Sequence, residues 1–267
     1  MSKEFKYSYD PLDHNSWPID FADNYKLGVY TVETKQRFVC GTRYETWDGR
    51  EFRYAKTTGA AALYASHGCE FTATGYTAIT TFAVAASIGD TSVTVPAATH
   101  AALTEDELAG GYIIIFDGAS DYYTTVRGIL GNDAAAANAL FKVYLDAPLS
   151  YAITASTSKC ETYQNPWTSL TVGATAAMPK AGVAAAYVSA AAQYFWVQTK
   201  GVTWVAPQSV VGENGGIGCF WRHDGTLESA DTALAVTTAT NDSSQYAGFT
   251  IEGTQAGNGP LFVLQGA

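Results

Sequence analysis

The chain has 267 residues, 47% of them hydrophobic and only 15% charged, so it can bury a large core but has few groups with which to solvate its surface alone. A net charge of −10 without any Lys/Arg cluster argues against a nucleic-acid binder, which must displace counterions from phosphates, and against electrostatic attachment to an anionic membrane. No apolar run approaches the roughly 20 residues of a spanning helix, and the polar opening Met1 to Asp10 lacks the apolar centre of a secretory signal, so the expectation is folding in a cytoplasm.

Residues 1–29 carry Phe5, Tyr7, Tyr9, Trp17, Phe21 and Tyr25 around Pro11 and Pro18 with no clean period. Such a segment is an extended arm whose aromatics bury on another surface, or a strap over its own domain. Farther on, Asp48-Gly49 between β-prone flanks signals a two-residue hairpin, since Gly supplies the positive φ. The small-residue stretch Thr57 to Tyr64 is expected to close as one or two helical turns. Phe82 to Ala85 and Thr91 to Val95, joined through Gly89-Asp90, are expected to form a second hairpin, which Pro96 ends.

Thr104 and Glu107 have capping-box spacing and predict a short helix or helical turn at Leu103 to Leu108. Gly110-Gly111 stops it. Tyr112 to Phe116 is the strongest strand of the sequence, Asp117-Gly118 turns it, Tyr122 to Ile129 returns it, and Phe141 to Leu145 follows an Ala-rich loop at Asp133 to Ala139. Asn165-Pro166-Trp167 closes this half. The second half has an aromatic strand from Tyr194 to Lys200 ending in a turn at Gly201, then Val202 to Val205, with further strands at Gly218 to Trp221, Leu234 to Thr238, Ala247 to Glu252 and Leu261 to Leu264. Many short strands with Gly-rich turns predict an all-β protein. The expected organisation is two small β-barrel or β-sandwich modules, 30–167 and 168–267, an extended arm at 1–29 and a few short helical turns.

Little of this carries reaction chemistry. Cys40, Cys69, Cys160 and Cys219 are scattered; their even count is compatible with two disulfides, but a cytoplasmic origin favours free, buried thiols. His14, His67, His100 and His223 lie at no metal-ligand spacing. Cys219, His223 and Asp224 form the one local grouping of thiol, base and acid, which a turn at Asp224-Gly225 explains equally. Glu105/Glu107 and Asp117/Asp121 fit neither a calcium loop nor a defined pair of glycosidase carboxylates, and Gly212, Gly215, Gly216 and Gly218 lack the following helix and Lys-Ser/Thr of a phosphate loop. No enzyme activity, cofactor or metal is expected. Trp196 and Trp204 are open to three readings: core, protein interface or sugar platform.

Four segments occur in an order that resembles a family of virion structural proteins from tailed bacteriophages: Gly49-Arg50-Glu51-Phe52-Arg53-Tyr54-Ala55, the acidic turn Glu105 running to Tyr112, Asn165-Pro166-Trp167, and Tyr194-Phe195-Trp196-Val197-Gln198-Thr199-Lys200-Gly201. The resemblance spans about residues 26–264, whereas the first 25 residues and Gly218 to Gly225 look particular to this chain. It implies a head decoration or capsid-stabilising (cement) protein on the capsid surface, made in the host cytoplasm, with the major capsid protein and its own copies, as a homotrimer, for partners. No nucleic acid or membrane is implied. The residues expected at capsid or subunit contacts are Phe5, Tyr7, Tyr9, Trp17, Phe21, Trp196 and Trp204. The alternative is a tail- or fibre-associated module that grips a host glycan through Trp196, Trp204 or Trp221.

Overall fold

Short apolar runs broken by glycine-rich turns favour strands over helices, and the computed structural model is nearly all β, with two curled antiparallel sheets and no α-helix among the described residues. The structure describes residues 19–20, 25–26, 28–59, 61–72, 75–116, 124–172, 178–208, 210–212, 217–229, 242–254 and 259–266. In chain order the strands are β1 (Ile19–Asp20), β2 (Tyr25–Lys26), β3 (Arg43–Glu45), β4 (Glu51–Lys56), β5 (Gly68–Phe71), β6 (Gly75–Thr81), β7 (Ser92–Val95), β8 (Tyr112–Phe116), β9 (Thr125–Asn132) and β10 (Phe141–Leu145). They continue with β11 (Lys159–Tyr163), β12 (Leu170–Val172), β13 (Lys180–Ala184), β14 (Tyr194–Trp204), β15 (Gly218–Arg222), β16 (Leu227–Ser229), β17 (Asp242–Glu252) and β18 (Leu261–Leu264), with a 3-10 turn at Pro166–Thr168.

The chain divides into a discontinuous unit, Met1–Thr72 with Trp167–Ala267, and an inserted unit, Ala73–Pro166. This differs from the expected modules 30–167 and 168–267. Residues 30–72 belong with the second half because β4 zips antiparallel to β14 from Tyr194↔Lys56 to Lys200↔Glu51, and β5 joins β12 and β13.

In the inserted unit six strands run in the order β6-β11-β8-β9-β10-β7. Alternation sets the core: Ile113 and Ile115 of β8 point inward with Val93 and Val95 of β7 and Phe141 and Val143 of β10. The expected hairpin through Gly89-Asp90 does not form, since β6 pairs with β11 and β7 with β10, at opposite ends of the strand order. Of the short helix or helical turn expected at 103–108, a turn forms and no helix. Glu107 does reach back, accepting from the Thr104 N–H at 2.9 Å and its hydroxyl at 2.8 Å, but Asp106 takes a φ of 62° and the chain turns instead. Fully buried Asn132 holds that turn, donating to the Thr104 carbonyl and accepting the Leu108 N–H, both at 2.8 Å.

In the discontinuous unit a ten-stranded sheet is organised around β14. The stretch expected as helical turns, Thr57 to Tyr64, is bridged to neighbouring backbone instead, Thr57 to Leu170 and Leu63 to Val188. Gly201, expected to end a strand, lies inside β14: with φ of 92° it bends the strand where it changes partner from β4 to β18. A Cβ at Gly201 would come within 2.9 Å of the Arg50 Cα, so only glycine lets the β3–β4 hairpin lie against this bend. That hairpin turns through Trp47, Asp48 and Gly49, longer than the two-residue loop expected, and closes with the Thr46 N–H on the Arg50 carbonyl at 2.9 Å and Gly49 at φ of 79°. Within the expected arm, β1 and β2 form a short ladder, and Val29 is buried among Phe38, Cys40 and Tyr54.

Candidate interaction surface

Past Gly201 the sheet consists of β14, β18, β17, β15 and β16 in that order. Its inner face is an ordinary core of Phe262, Leu264, Ala247, Cys219, Trp221 and Leu227. The outer face of a one-sided antiparallel sheet is normally polar. Here it is mainly apolar.

Register places Val202 of β14 beside Val263 of β18, and Val263 beside Phe249 of β17, while Trp204 pairs with Leu261. Tyr246 of β17 pairs with Phe220 of β15, their rings edge to face at 5.5 Å. Ile251 is the extra residue of a bulge between Thr250 and Glu252. Trp204 is 47% exposed and Ile251 57%, and Val202, Leu261 and Tyr246 are exposed with them. Contiguous cross-strand pairs of this kind make one patch rather than scattered surface apolar groups.

The β3–β4 hairpin packs against Gly201, the residue before Val202, and carries Trp47 at its tip, 84% exposed. Its loop is held rigidly. Asp48 accepts from the Thr46 hydroxyl and, at 2.8 Å, from Arg50 Nε, while Arg50 Nη1 donates to the Tyr30 hydroxyl at 3.0 Å. Partial burial works to raise the Asp48 pKa, but these donors and the Arg50 charge hold it below its ordinary value. At the base of the hairpin Glu51 pairs with Arg43 at 2.8 Å and Lys200 at 3.3 Å. An exposed Trp beside an oriented Arg has the composition of an interface anchor.

Of the residues expected at contacts, Trp204 lies on the apolar face. Trp196 does not: it is 0% exposed, enclosed by Phe38, Tyr44 and Tyr54. Trp196 and Val197 are adjacent on β14 and so point to opposite faces, but both faces of this half of the strand are covered, so both residues are core. Trp221 is buried too, which leaves Trp204 of the three aromatics named for glycan contact. Phe5, Tyr7, Tyr9, Trp17 and Phe21 lie outside the described residues, as do Asp117, Asp121, Gly215, Gly216 and Leu234 to Thr238.

The Cys219, His223 and Asp224 grouping is not assembled for nucleophilic chemistry. Cys219 is buried, its Sγ directed 3.8 Å from the Ile217 carbonyl, and burial pushes its thiol up to about 11. Asp224 forms the expected turn, accepting the Thr226 N–H at 3.0 Å and hydroxyl at 2.6 Å, with the Gly225 N–H on the Arg222 carbonyl. Cys40, Cys69 and Cys160 are likewise free and buried, each thiol pushed up to about 12 by burial first of all. Because the thiolate is the reactive form, native protein at pH 8 is expected to leave all four thiols unreacted with an aromatic disulfide reagent, and all four to react after denaturation. Prompt reaction of one thiol in the native protein would contradict this assignment. Among the described residues no group of three or more His, Cys, Asp or Glu is placed to hold a metal ion.

The outer-face residues Val202, Phe249, Ile251, Leu261 and Val263 and the tip residue Trp47 were not singled out from sequence. One signal was available: Leu261-Phe262-Val263-Leu264 is apolar without interruption, and such a run implies a strand covered on both faces. No family model matches the chain, and neither curated proteins nor solved structures yield a match.

Proposed function

We propose that this chain is a structural protein of a tailed-bacteriophage particle, a head decoration or capsid-stabilising protein that binds the major capsid protein lattice and copies of itself by non-covalent contact. The observation that carries the proposal is the mainly apolar outer face of β14, β18 and β17, on a chain with few charges. Removing such area from water contributes about 25 cal/mol per Å², and repetition over a shell raises effective concentration, so modest single contacts hold. The ordered segments that resemble phage virion proteins give the setting. A glycan-binding role in a tail fibre has weaker support, since the strand neighbours of Trp204 and Val202 are Leu261 and Val263, which offer no side-chain hydrogen bonds to sugar hydroxyls.

Immunogold labelling of purified particles tests the proposal. Label over the heads, together with earlier thermal rupture of particles made without the protein, is the expected result. Label confined to tail tips, or particles devoid of the chain, would overturn it.

A further inference from the structure

His100 is satisfied in one protonation state only. It is 8% exposed, on the connection from β7 to β8, and both of its ring nitrogens face backbone carbonyl oxygens: Nδ1 lies 2.6 Å from the Ala101 oxygen and Nε2 2.9 Å from the Ala139 oxygen. A carbonyl oxygen can only accept, and a neutral imidazole carries one N–H and one lone pair. In either tautomer a lone pair therefore points at an oxygen within hydrogen-bond distance. With a proton on each nitrogen both contacts become hydrogen bonds, and charge-assisted ones are about twice as strong as neutral ones.

The ring is packed between Tyr76 of β6, with centroids 5.6 Å apart, and Phe141 of β10, with centroids 5.2 Å apart. Among the described residues Tyr76 is the titratable side chain in ring contact with it, and the Tyr76 hydroxyl donates to the same Ala101 carbonyl at 3.1 Å. Glu107, whose charge bears on Tyr76, accepts from the Thr104 N–H and hydroxyl. Glu105, Asp106 and Asp133 bear on Tyr144, as does Lys142 of β10, whose Nζ lies 5.5 Å from the Tyr144 ring centroid. Burial opposes a charged ring. Two carbonyl oxygens aimed at the ring nitrogens and an aromatic neighbour on each side favour one, and the neutral ring forfeits one of those hydrogen bonds outright.

The same residue clasps two loops. Its N–H donates to Asn138 Oδ1 at 3.1 Å and its carbonyl accepts the Asn138 N–H at 3.2 Å. Asn138 has a φ of 59°, in the left-handed region that is uncommon outside glycine and is kept by such surrounding contacts. Leu103 and Ala135, on the same two loops, exchange N–H···O bonds at 2.9 Å. We propose that His100 is a proton-dependent latch of the inserted unit: as imidazolium it locks the loop at 96–103 to the turn at 135–139, and loss of one proton releases the lock. The stability that the latch lends is present below the ordinary imidazole range, about pH 6.5, and is lost as the second proton leaves at higher pH.

NMR of the ring nitrogens and amide hydrogen exchange, both on the purified full chain, test this. In the folded protein the His100 ring is expected to carry mostly two protons at about pH 7, where a free imidazole is mostly neutral. After correction for the intrinsic pH dependence of exchange, the Leu103 and Ala135 amides are expected to exchange about tenfold faster at about pH 8.5 than at about pH 5.5, as befits the loss of one hydrogen bond to a charged group. His100→Gln, whose side chain does not titrate, is expected to abolish that difference, and His67→Gln, in the other unit, to keep it. A ring that is mostly neutral at about pH 7, protection that is the same at both pH values, or an undiminished pH dependence in His100→Gln overturns the latch. The wild-type ring and amide measurements decide the matter even where the glutamine variant does not fold.

Discussion

Lys180→Met is expected to destabilise the protein by about 3–5 kcal/mol, the usual cost of leaving one partner of a buried ion pair without the other. Lys180 Nζ lies 2.7 Å from Glu70 Oε2, with side-chain exposures of 0% and 3%, and also donates to the His223 carbonyl at 2.7 Å. Glu70 and Lys180 face each other across β5 and β13, while His223 follows β15, so one ammonium ties separate stretches of the sheet together. The Lys180 backbone is fixed as well, its N–H on Gln245 Oε1 at 2.6 Å and its carbonyl accepting from Gln245 Nε2 at 2.9 Å. Removing the ammonium leaves the Glu70 carboxylate in a site that water cannot reach. The double variant Glu70→Leu with Lys180→Met removes both charges and is expected to recover most of the loss, because apolar replacements for a buried pair are often neutral or stabilising. Urea denaturation of the single and double variants reads the effect. A single variant within about 1 kcal/mol of wild type would mean that water reaches the pair.

Trp196→Ala is expected to cost about 3–5 kcal/mol of stability, as large-to-small changes of a buried aromatic do. The indole stands 5.2 Å from Tyr54, 5.6 Å from Phe38 and 6.0 Å from Tyr44, centroid to centroid, at the junction of β14 with β4 and the segment before β3. Its Nε1 is buried with no hydrogen-bond partner among the described residues, so Trp196→Phe gives up ring area but also a desolvated donor, and is expected to be the milder change. Trp204→Ala should behave in the opposite way, moving stability by less than about 0.5 kcal/mol while weakening association. Thermal melting of the two alanine variants separates the roles. Equal losses would place both side chains in the core; loss of association with unchanged stability in Trp196→Ala would restore it to the surface.

The strands were the most legible part of the sequence, for a local reason. Tyr112 to Phe116 and Phe141 to Leu145 alternate faces, and their period survives folding as buried Ile113, Ile115, Phe141, Val143 and Leu145. Glycines were legible as special backbone positions but not as to kind. Gly49 closes a hairpin as expected, whereas Gly201 bends a continuous strand, and the difference lies in Arg50, which packs against Gly201 from 151 residues earlier in the chain. The capping box at Thr104 and Glu107 makes its local hydrogen bonds, yet tertiary contact with Asn132 draws the segment into a turn. The division into units was hidden for the same physical reason, since β4 pairs with a strand across the whole inserted unit.

The candidate surface was half legible. Alternation along β14 marks Val202 and Trp204 as sharing a face, and the unbroken apolar run of β18 marks both of its faces as in need of cover. That the outer faces of three strands join into one patch depends on the register of β14 with β18 and of β18 with β17. The Glu70–Lys180 pair had no local signal at all, being 110 residues apart.

A density map of the intact particle tests the central claim most directly, because it shows both where the chain sits and what covers it. The account predicts this β fold on the outside of the head shell, with the Val202, Leu261 and Ile251 face closed by protein and Trp47 seated in a contact. The chain missing from the head, or present there with that face open to solvent, would contradict it.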